Sequence, residues 1–450
     1  MQTNKTTMKI KITSVIICLL TALAAPLFAQ DSPLDTLTSH VAGIRQELDV
    51  LKRLKISGYI QAQFQVADSM GQPSFAGGNF ASGVDKRFAI RRGRIKFQYD
   101  APINEKGFST SQYVLQFDVT EGGVNIKDAY AKITDPWSGW FSVTAGMQNR
   151  PFGYEIVYSS SLRESPERGR MSQIIFRNER DLGAMVSIQG PKTTNWNWIK
   201  IDGGFFNGVG APSALANGSD FDKKKDFIGH IGITRTDKSE LIKYSLGASY
   251  YDGGYRLDND TIYSLNSDAA GVKGFEIISS SGNKGKFYAK RKYIGFDAQL
   301  SIDWMIGITT LRGEYVSGDQ PNVSGSSVSP FAVVTSPIYN RKFNGAYFYF
   351  LQNIGQSPFQ TIIKYDWYDP NTDVEKDEVG KTVNNGMKAT STTDVKYSTL
   401  GLGLAYRWDA NVKLTAYYDI IKNETSSNLP PLYRTNQLDN VFTLRAQVKF

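Results

Sequence analysis

The chain has 450 residues, 41% hydrophobic and 21% charged, with a formal net charge of +8. One cysteine excludes an intramolecular disulfide or a Cys-rich zinc site, and two histidines leave little room for His-rich metal or triad chemistry. Near-average hydrophobicity, with a mean hydropathy of −0.33, argues against a polytopic helical membrane protein, while 24 Tyr, 25 Phe and 41 Gly stand in excess over His and Cys.

Lys5, Lys9 and Lys11 precede an apolar stretch from Ile12 to Ala25, followed by Pro26-Leu27-Phe28-Ala29. A basic head, a short apolar core and a small exit residue predict a secretory signal peptide over 1–29, cleaved after Ala29. The alternative, an uncleaved anchor, has a core shorter than the ~20 residues of a spanning helix. Cys18 lies in the leader, so the exported chain has no cysteine, and loss of three lysines lowers the charge from +8 to +5. Nucleic acid is a poor partner for such a chain; the surplus matters more if the chain encloses a pore.

Over 31–54, Leu34, Leu37, Val41, Ile44, Leu48 and Leu51 recur at alternating spacings of three and four, with charged and polar residues between them. That heptad seam predicts a periplasmic helix, and three heptads are marginal alone, so a short self-associating coiled coil is expected. The alternative is one amphipathic helix packed on its own domain.

From residue 55 the period changes to two. Tyr113, Leu115, Phe117 and Val119 alternate with polar residues, as do Ile294, Phe296, Ala298 and Leu300, and Phe442, Leu444, Ala446 and Val448. Segments of about ten residues, apolar on one face only, are the signature of transmembrane barrel strands. About sixteen are expected, near 55–66, 87–99, 111–119, 124–134, 139–149, 181–189, 196–206, 226–234, 242–251, 287–302, 305–316, 342–353, 359–369, 395–408, 411–422 and 441–450. Connections after odd-numbered strands are mostly long, such as 67–86, 150–180, 252–286 and 370–394, and those after even-numbered strands mostly short. Two disobey: 120–123 is short and 100–110 long. A soluble β-sandwich gives no reason for long loops at one end, whereas an all-β transmembrane antiparallel barrel over 55–450 does, with closure satisfying every strand edge. Tyr250, Tyr251, Tyr365, Trp367, Tyr368, Tyr417 and Tyr418 are expected in its interfacial girdles.

Sixteen strands enclose an aqueous channel. In Arg87–Tyr99, residues Arg92, Arg94, Lys96 and Gln98 share a face opposite Ile95, Phe97 and Tyr99. An Arg facing lipid costs roughly 2–4 kcal/mol, so the basic face points into the lumen, its cations about 7 Å apart from a rise of ~3.4 Å per residue. Arg91 breaks the alternation, through a rim position or a bulge near Ile90. The alternative is an Arg run neutralised by Asp118 or Asp128 for stability. The 150–180 connection holds Arg150, Arg163, Arg168, Arg170, Arg177 and Arg180 against Glu155, Glu164, Glu167 and Glu179. Connections this long are uncommon without a function. Arg forks bind oxyanions, Ser159, Ser160 and Ser161 add hydroxyl donors, and an inward fold would make a constriction; the alternative is an outward loop with internal Arg–Glu pairs. His40 and His230 lack a Ser-plus-acid pattern, so no enzyme is expected, and Asp258-Asn259-Asp260 reads as a turn before it reads as a calcium loop.

Arg91-Arg92-Gly93-Arg94, Asp128-Ala129-Tyr130 and Gly146-Met-Gln148-Asn-Arg150-Pro151-Phe152-Gly153-Tyr154-Glu155 resemble motifs of the phosphate-selective porin O and P family. Phe450 looks like the terminal aromatic of outer-membrane barrels. The resemblance implies a homotrimer of sixteen-stranded barrels, each with an inward loop, passing anions along Arg and Lys. It implies that Arg91, Arg92 and Arg94 form an anion site, that Asp128 orients arginines, and that Arg150 and Ser159–Ser161 lie where the constriction loop begins. This chain departs in its Glu-rich loop and in walls of both signs, with Lys243, Arg312, Lys364 and Arg445 beside Glu314, Asp366 and Asp419. The expectation is a passive channel in a Gram-negative outer membrane that favours small anions, phosphate being a candidate. Its pore-lining residues would be Arg91, Arg92, Arg94, Lys96, Asp128, Arg150, Ser160, Ser161 and Arg163, with no cofactor or metal. The alternatives are a general diffusion porin and a plugged adhesive barrel.

Overall fold

The computed structural model describes residues 33–177, 179–210, 220, 222–280, 288–330, 332–384 and 386–450; the leader assigned to 1–29 lies outside them. Helix α1 (Pro33–Arg53) covers the heptad segment, with Leu37, Val41, Ile44, Leu48 and Leu51 of its seam exposed. It forms one compact unit up to Leu54, and the remainder forms a second.

The wall strands are β1 (Leu54–Ala67), β2 (Lys86–Asp100), β3 (Ser111–Thr120), β4 (Gly123–Thr134), β5 (Phe141–Asn149), β6 (Arg180–Gln189), β7 (Ile199–Phe206), β8 (Asp226–Thr236) and β9 (Ile242–Arg256). After β10 (Thr261–Ser267) and β11 (Lys273–Ser280), which lie outside the wall, come β12 (Tyr288–Trp304) and β13 (Gly307–Asp319). Beyond β14 (Ile338–Asn340), also outside it, β15 (Lys342–Asn353), β16 (Phe359–Asp369), β17 (Tyr397–Arg407), β18 (Val412–Asn423) and β19 (Val441–Lys449) complete it. Among the described residues sixteen strands close into one barrel. β1 pairs with β19 from Tyr59↔Lys449 to Ala67↔Val441, and Gly58 and Phe450 exchange two backbone hydrogen bonds of 3.0 Å. The sixteen-strand antiparallel barrel expected from the alternation is the fold the chain adopts.

The period of two explains why the barrel is inverted relative to a soluble core. Phe296, Phe348, Leu404 and Leu444 are exposed on the outer face, while Gln61, Arg94, Asp297, Glu314, Asp366 and Arg445 are buried within. Closure leaves no free edge, so backbone polar groups are satisfied between strands. At Gly146, φ is +125° and an added Cβ would meet Ala129 O of β4 at 2.3 Å, so only glycine brings β5 against β4 here.

The aromatic expectation needs correction. Tyr250, Tyr365 and Tyr418 face outward, but Tyr251, Tyr368 and Tyr417 are buried. Adjacent strand residues point to opposite faces, so a Tyr-Tyr pair supplies only one ring to a girdle. The long connections carry structure of their own, because β10, β11 and β14 form a small separate sheet. It is held by Tyr263 stacked on Tyr339 at 4.7 Å and Phe275 edge-on to Tyr339 at 4.9 Å. Asp258-Asn259-Asp260 is part of this region: Asn259 Oδ1 accepts from Thr261 N and its amide donates to the Ser336 carbonyl, which makes it a turn.

Candidate functional site

Two one-residue slips build the basic wall. In β2, Phe88 and Ile90 face out, yet Arg91 and Arg92, consecutive residues, both reach Glu167 inside. Side-chain alternation therefore shifts between them, and Arg92, Arg94 and Lys96 continue inward. Between β3 and β4, Gln116 pairs with Asp128 but Phe117 with Ile126, leaving Lys127 as the extra residue of a bulge. Lys127 and Asp128 consequently both turn into the lumen, where they meet Glu179 at 3.0 Å and Arg180 at 2.9 Å.

The connection between β5 and β6 lies against inward-facing side chains around the wall. Its short helix α2 (Arg170–Ile175) packs apolar residues, with Phe152, Ile156 and Phe176, against Tyr251, Tyr293, Phe343 and Tyr347. Burying aromatic and aliphatic area there holds the segment in place. Its polar contacts are of two kinds. Wall carboxylates accept its backbone N–H groups: Glu314 from Tyr154 (3.1 Å) and Glu155 (3.0 Å), Asp366 from Arg170 (3.2 Å). Wall cations receive its carboxylates.

Glu167 is the first such carboxylate. Its Oε1 accepts from Arg91 Nε at 2.8 Å and Arg445 Nη2 at 2.9 Å, and its Oε2 from Arg92 Nη2 at 2.8 Å and Arg91 Nη2 at 3.1 Å. Glu179 is the second, with Oε1 at 2.9 Å from Arg180, 3.0 Å from Lys127, 3.2 Å from Arg168 and 3.8 Å from Arg94. Burial opposes ionisation of both acids, but the surrounding cations outweigh it and hold both carboxyls well below the usual range. Arg94 Nε also binds Asp118 at 3.2 Å.

The remaining expected residues are placed as follows. Ser160 Oγ lies 2.5 Å from Tyr59 Oη, and its carbonyl accepts from Gln61 at 3.0 Å. Ser161 Oγ is 2.9 Å from Ser159 Oγ, and the Ser161 carbonyl accepts from Gln447 at 2.9 Å. Arg150 is buried with its guanidinium 5.0 Å over the Phe176 ring. Lys96 Nζ donates to Gln98 at 2.9 Å. Asp128 Oδ1 accepts from Arg180 Nε at 2.9 Å, an arginine outside the β2 run. Arg163 differs from the rest: it is 3% exposed, and none of its three guanidinium nitrogens has a hydrogen-bond partner among the described residues. Arg312, by contrast, grips Glu164 at 2.9 Å within a cage of Tyr154, Tyr158 and Tyr349.

At the end of the barrel where Gly58 meets Phe450, a cavity of about 660 Å³ is lined by Lys96, Lys132, Arg180 and Lys200 against Asp128 and Asp202. A second, of about 450 Å³, continues past Lys200 and Asp202 to His230, Lys243 and Asp297. Lys132 and Lys200 escaped the sequence reading because an isolated lysine on a wall strand carries no pattern. Arg445 and Glu167 were visible as charges, but their meeting depends on the path of the connection through the lumen. Lys127 needed the bulge.

No family model and no curated protein matches the chain. Solved structures do. OprB of Pseudomonas putida is 11% identical with a TM-score of 0.56, covering 91% of this chain and 97% of that one. The anion-selective porin from Comamonas acidovorans is 10% identical with a TM-score of 0.51, covering 88% of this chain and 98% of that one. The outer membrane channel DcaP of Acinetobacter baumannii is 11% identical with a TM-score of 0.51, covering 88% and 97%. At such identities the likeness is one of fold, and the fold is that of the outer-membrane porins.

Proposed function

We propose that the protein is a passive channel of the Gram-negative outer membrane that favours small anions, with inorganic phosphate as a candidate solute. The connection between β5 and β6 serves as its constriction. One observation carries the reading: seven cationic side chains converge on Glu167 and Glu179, and with Asp118 and Asp128 included the carboxylates still number four. A surplus of fixed positive charge at the narrowest section, with low-dielectric walls, raises the local anion concentration and repels cations. The basic cavity below adds to it, and one protein of similar fold is an anion-selective porin. Export through a cleaved leader over 1–29 and assembly as a homotrimer joined by α1 coiled coils complete the proposal; the exposed seam of α1 supports the latter.

The experiment is a planar bilayer holding the purified channel under a potassium chloride gradient. A reversal potential of anionic sign is expected. A zero potential favours the second reading, a general diffusion porin, for which the pairing of Arg91, Arg92 and Arg94 with acids speaks. A cationic potential refutes the anion reading.

A further inference from the structure

Arg91, Arg92 and Arg445 come from two wall strands, yet all three aim at one point, and that point is occupied by a carboxylate of the same chain. The two oxygens of Glu167 share their donors. Oε1 takes Arg91, Arg445 and, at 3.3 Å, Arg92, while Oε2 takes Arg91 and Arg92, so Arg91 and Arg92 each span both in the fork that guanidinium offers a carboxylate. Neighbours lock the donors in this pose: Gln61 accepts from Arg92 at 3.1 Å, and Gln63 accepts from Arg445 Nε at 3.0 Å. The arginines are thus preorganised for an anion with two adjacent oxygens. Glu167 itself lies in a stretch without helix or strand, and among the described residues its side chain is tethered only through those arginines.

Beside this cluster sits Arg163. It is buried, it lacks a hydrogen-bond acceptor among the described residues, and it lies close enough to Arg92, Glu155 and Glu167 to interact with them electrostatically. A buried guanidinium without an acceptor is costly, so this position calls for an oxygen from outside the chain.

We propose that Glu167 is a built-in competitor occupying an oxyanion site, and that a passing solute with a carboxylate or phosphate group lands on Arg163 and takes the place of Glu167 on Arg91, Arg92 and Arg445. The exchange rests on the anion reading above and names its solute chemistry. Swapping one two-oxygen anion for another keeps an acceptor on every guanidinium, so no arginine is stranded at any stage. A spherical halide cannot bridge the fork and passes without displacing the glutamate. Glu179 is not a second such competitor, because its immediate neighbour Arg180 begins β6 and its carboxylate is shared by four cations.

The test is block of potassium chloride current at fixed voltage by acetate and, separately, by inorganic phosphate. It compares the wild-type channel with Glu167→Gln, Glu167→Asp and Arg163→Ala. A tethered group competes at an effective concentration in the millimolar range, so its removal in Glu167→Gln lowers the half-blocking concentration roughly tenfold or more. Glu167→Asp, which keeps the charge but shortens the reach, falls between, and Arg163→Ala raises it roughly tenfold. Equal block in wild type and Glu167→Gln overturns the proposal. So does a Glu167→Gln channel with larger current and no block, the behaviour of a mere strut. Block by phosphate but not acetate also overturns it, since the shared two-oxygen chemistry would be absent. The wild-type reversal potential tests the anion reading separately.

Discussion

Replacing Glu179 by glutamine keeps the shape of the side chain and removes its charge from the centre of four cations. Arg94 retains Asp118 and Arg180 retains Asp128, but Lys127 and Arg168 lose the one carboxylate each has among the described residues. Stranding a buried charge costs about 3–5 kcal/mol, so two such charges set an upper range of roughly 6–10 kcal/mol. Arg168 keeps its 3.0 Å bond to the Glu155 carbonyl, which places the net near about 5 kcal/mol. Detaching the connection between β5 and β6 relieves this strain more cheaply than opening the barrel, so the assay is tryptic cleavage of the folded channel in detergent. Arg163, Arg168 and Arg170 are buried in the wild type and resist cleavage. At 1.4 kcal/mol per tenfold, about 5 kcal/mol raises the open population, and with it the cleavage rate, by roughly a thousandfold or more. A rate within tenfold of wild type would refute the reasoning and show that solvent, not Glu179, satisfies these cations.

Three further outcomes follow from the same structure. Gly146→Ala forces a Cβ to within 2.3 Å of Ala129 O at a positive φ, and is expected to cost more than about 2 kcal/mol, read as loss of the heat-modifiable folded band on a cold gel. Lys96→Glu with Lys132→Glu reverses two wall charges that have no ion-pair partner among the described residues; the reversal potential should move toward the cationic side, and an unmoved potential would place selectivity above this cavity. Glu167 and Glu179 have depressed carboxyl pKa values, so their hold on the wall is fully present above the ordinary value of about 4.3 and is lost only as pH falls through the lowered ones. Single-channel conductance should therefore stay level from about pH 7 to about pH 5, and a step near pH 5 would contradict the placement of these acids.

The wall was legible because a strand at a lipid boundary writes its environment into every second residue, as in Phe442, Leu444, Ala446 and Val448. The inward aim of Arg92 and Arg94 followed from the cost of turning them to lipid. What alternation does not encode is where it slips. Lys127 and Asp128 look like one inward and one outward residue until the bulge opposite Gln116 is known. Nor does it encode pairings made across the lumen. The meeting of Glu167 with Arg445, separated by 278 residues, depends on the path of a whole connection. The sheet of β10, β11 and β14 escaped for the same reason, since Tyr263, Phe275 and Tyr339 gain their burial from one another. Tyr417 and Tyr418 show the converse: the composition was read correctly, the face only half so.

The slips in β2 and β4 also change the shape of the electric field. Regular alternation would space the charges of a strand about 7 Å apart and spread them down the wall, whereas neighbouring residues differ in height by only ~3.4 Å. Arg91 and Arg92 therefore set two like charges at nearly one height, where both meet Glu167, while Lys127 and Asp128 set opposite charges side by side. Like charges closer than the Debye length of about 8 Å in physiological salt act on a passing ion as one doubled charge, whereas the opposed pair acts as a short dipole.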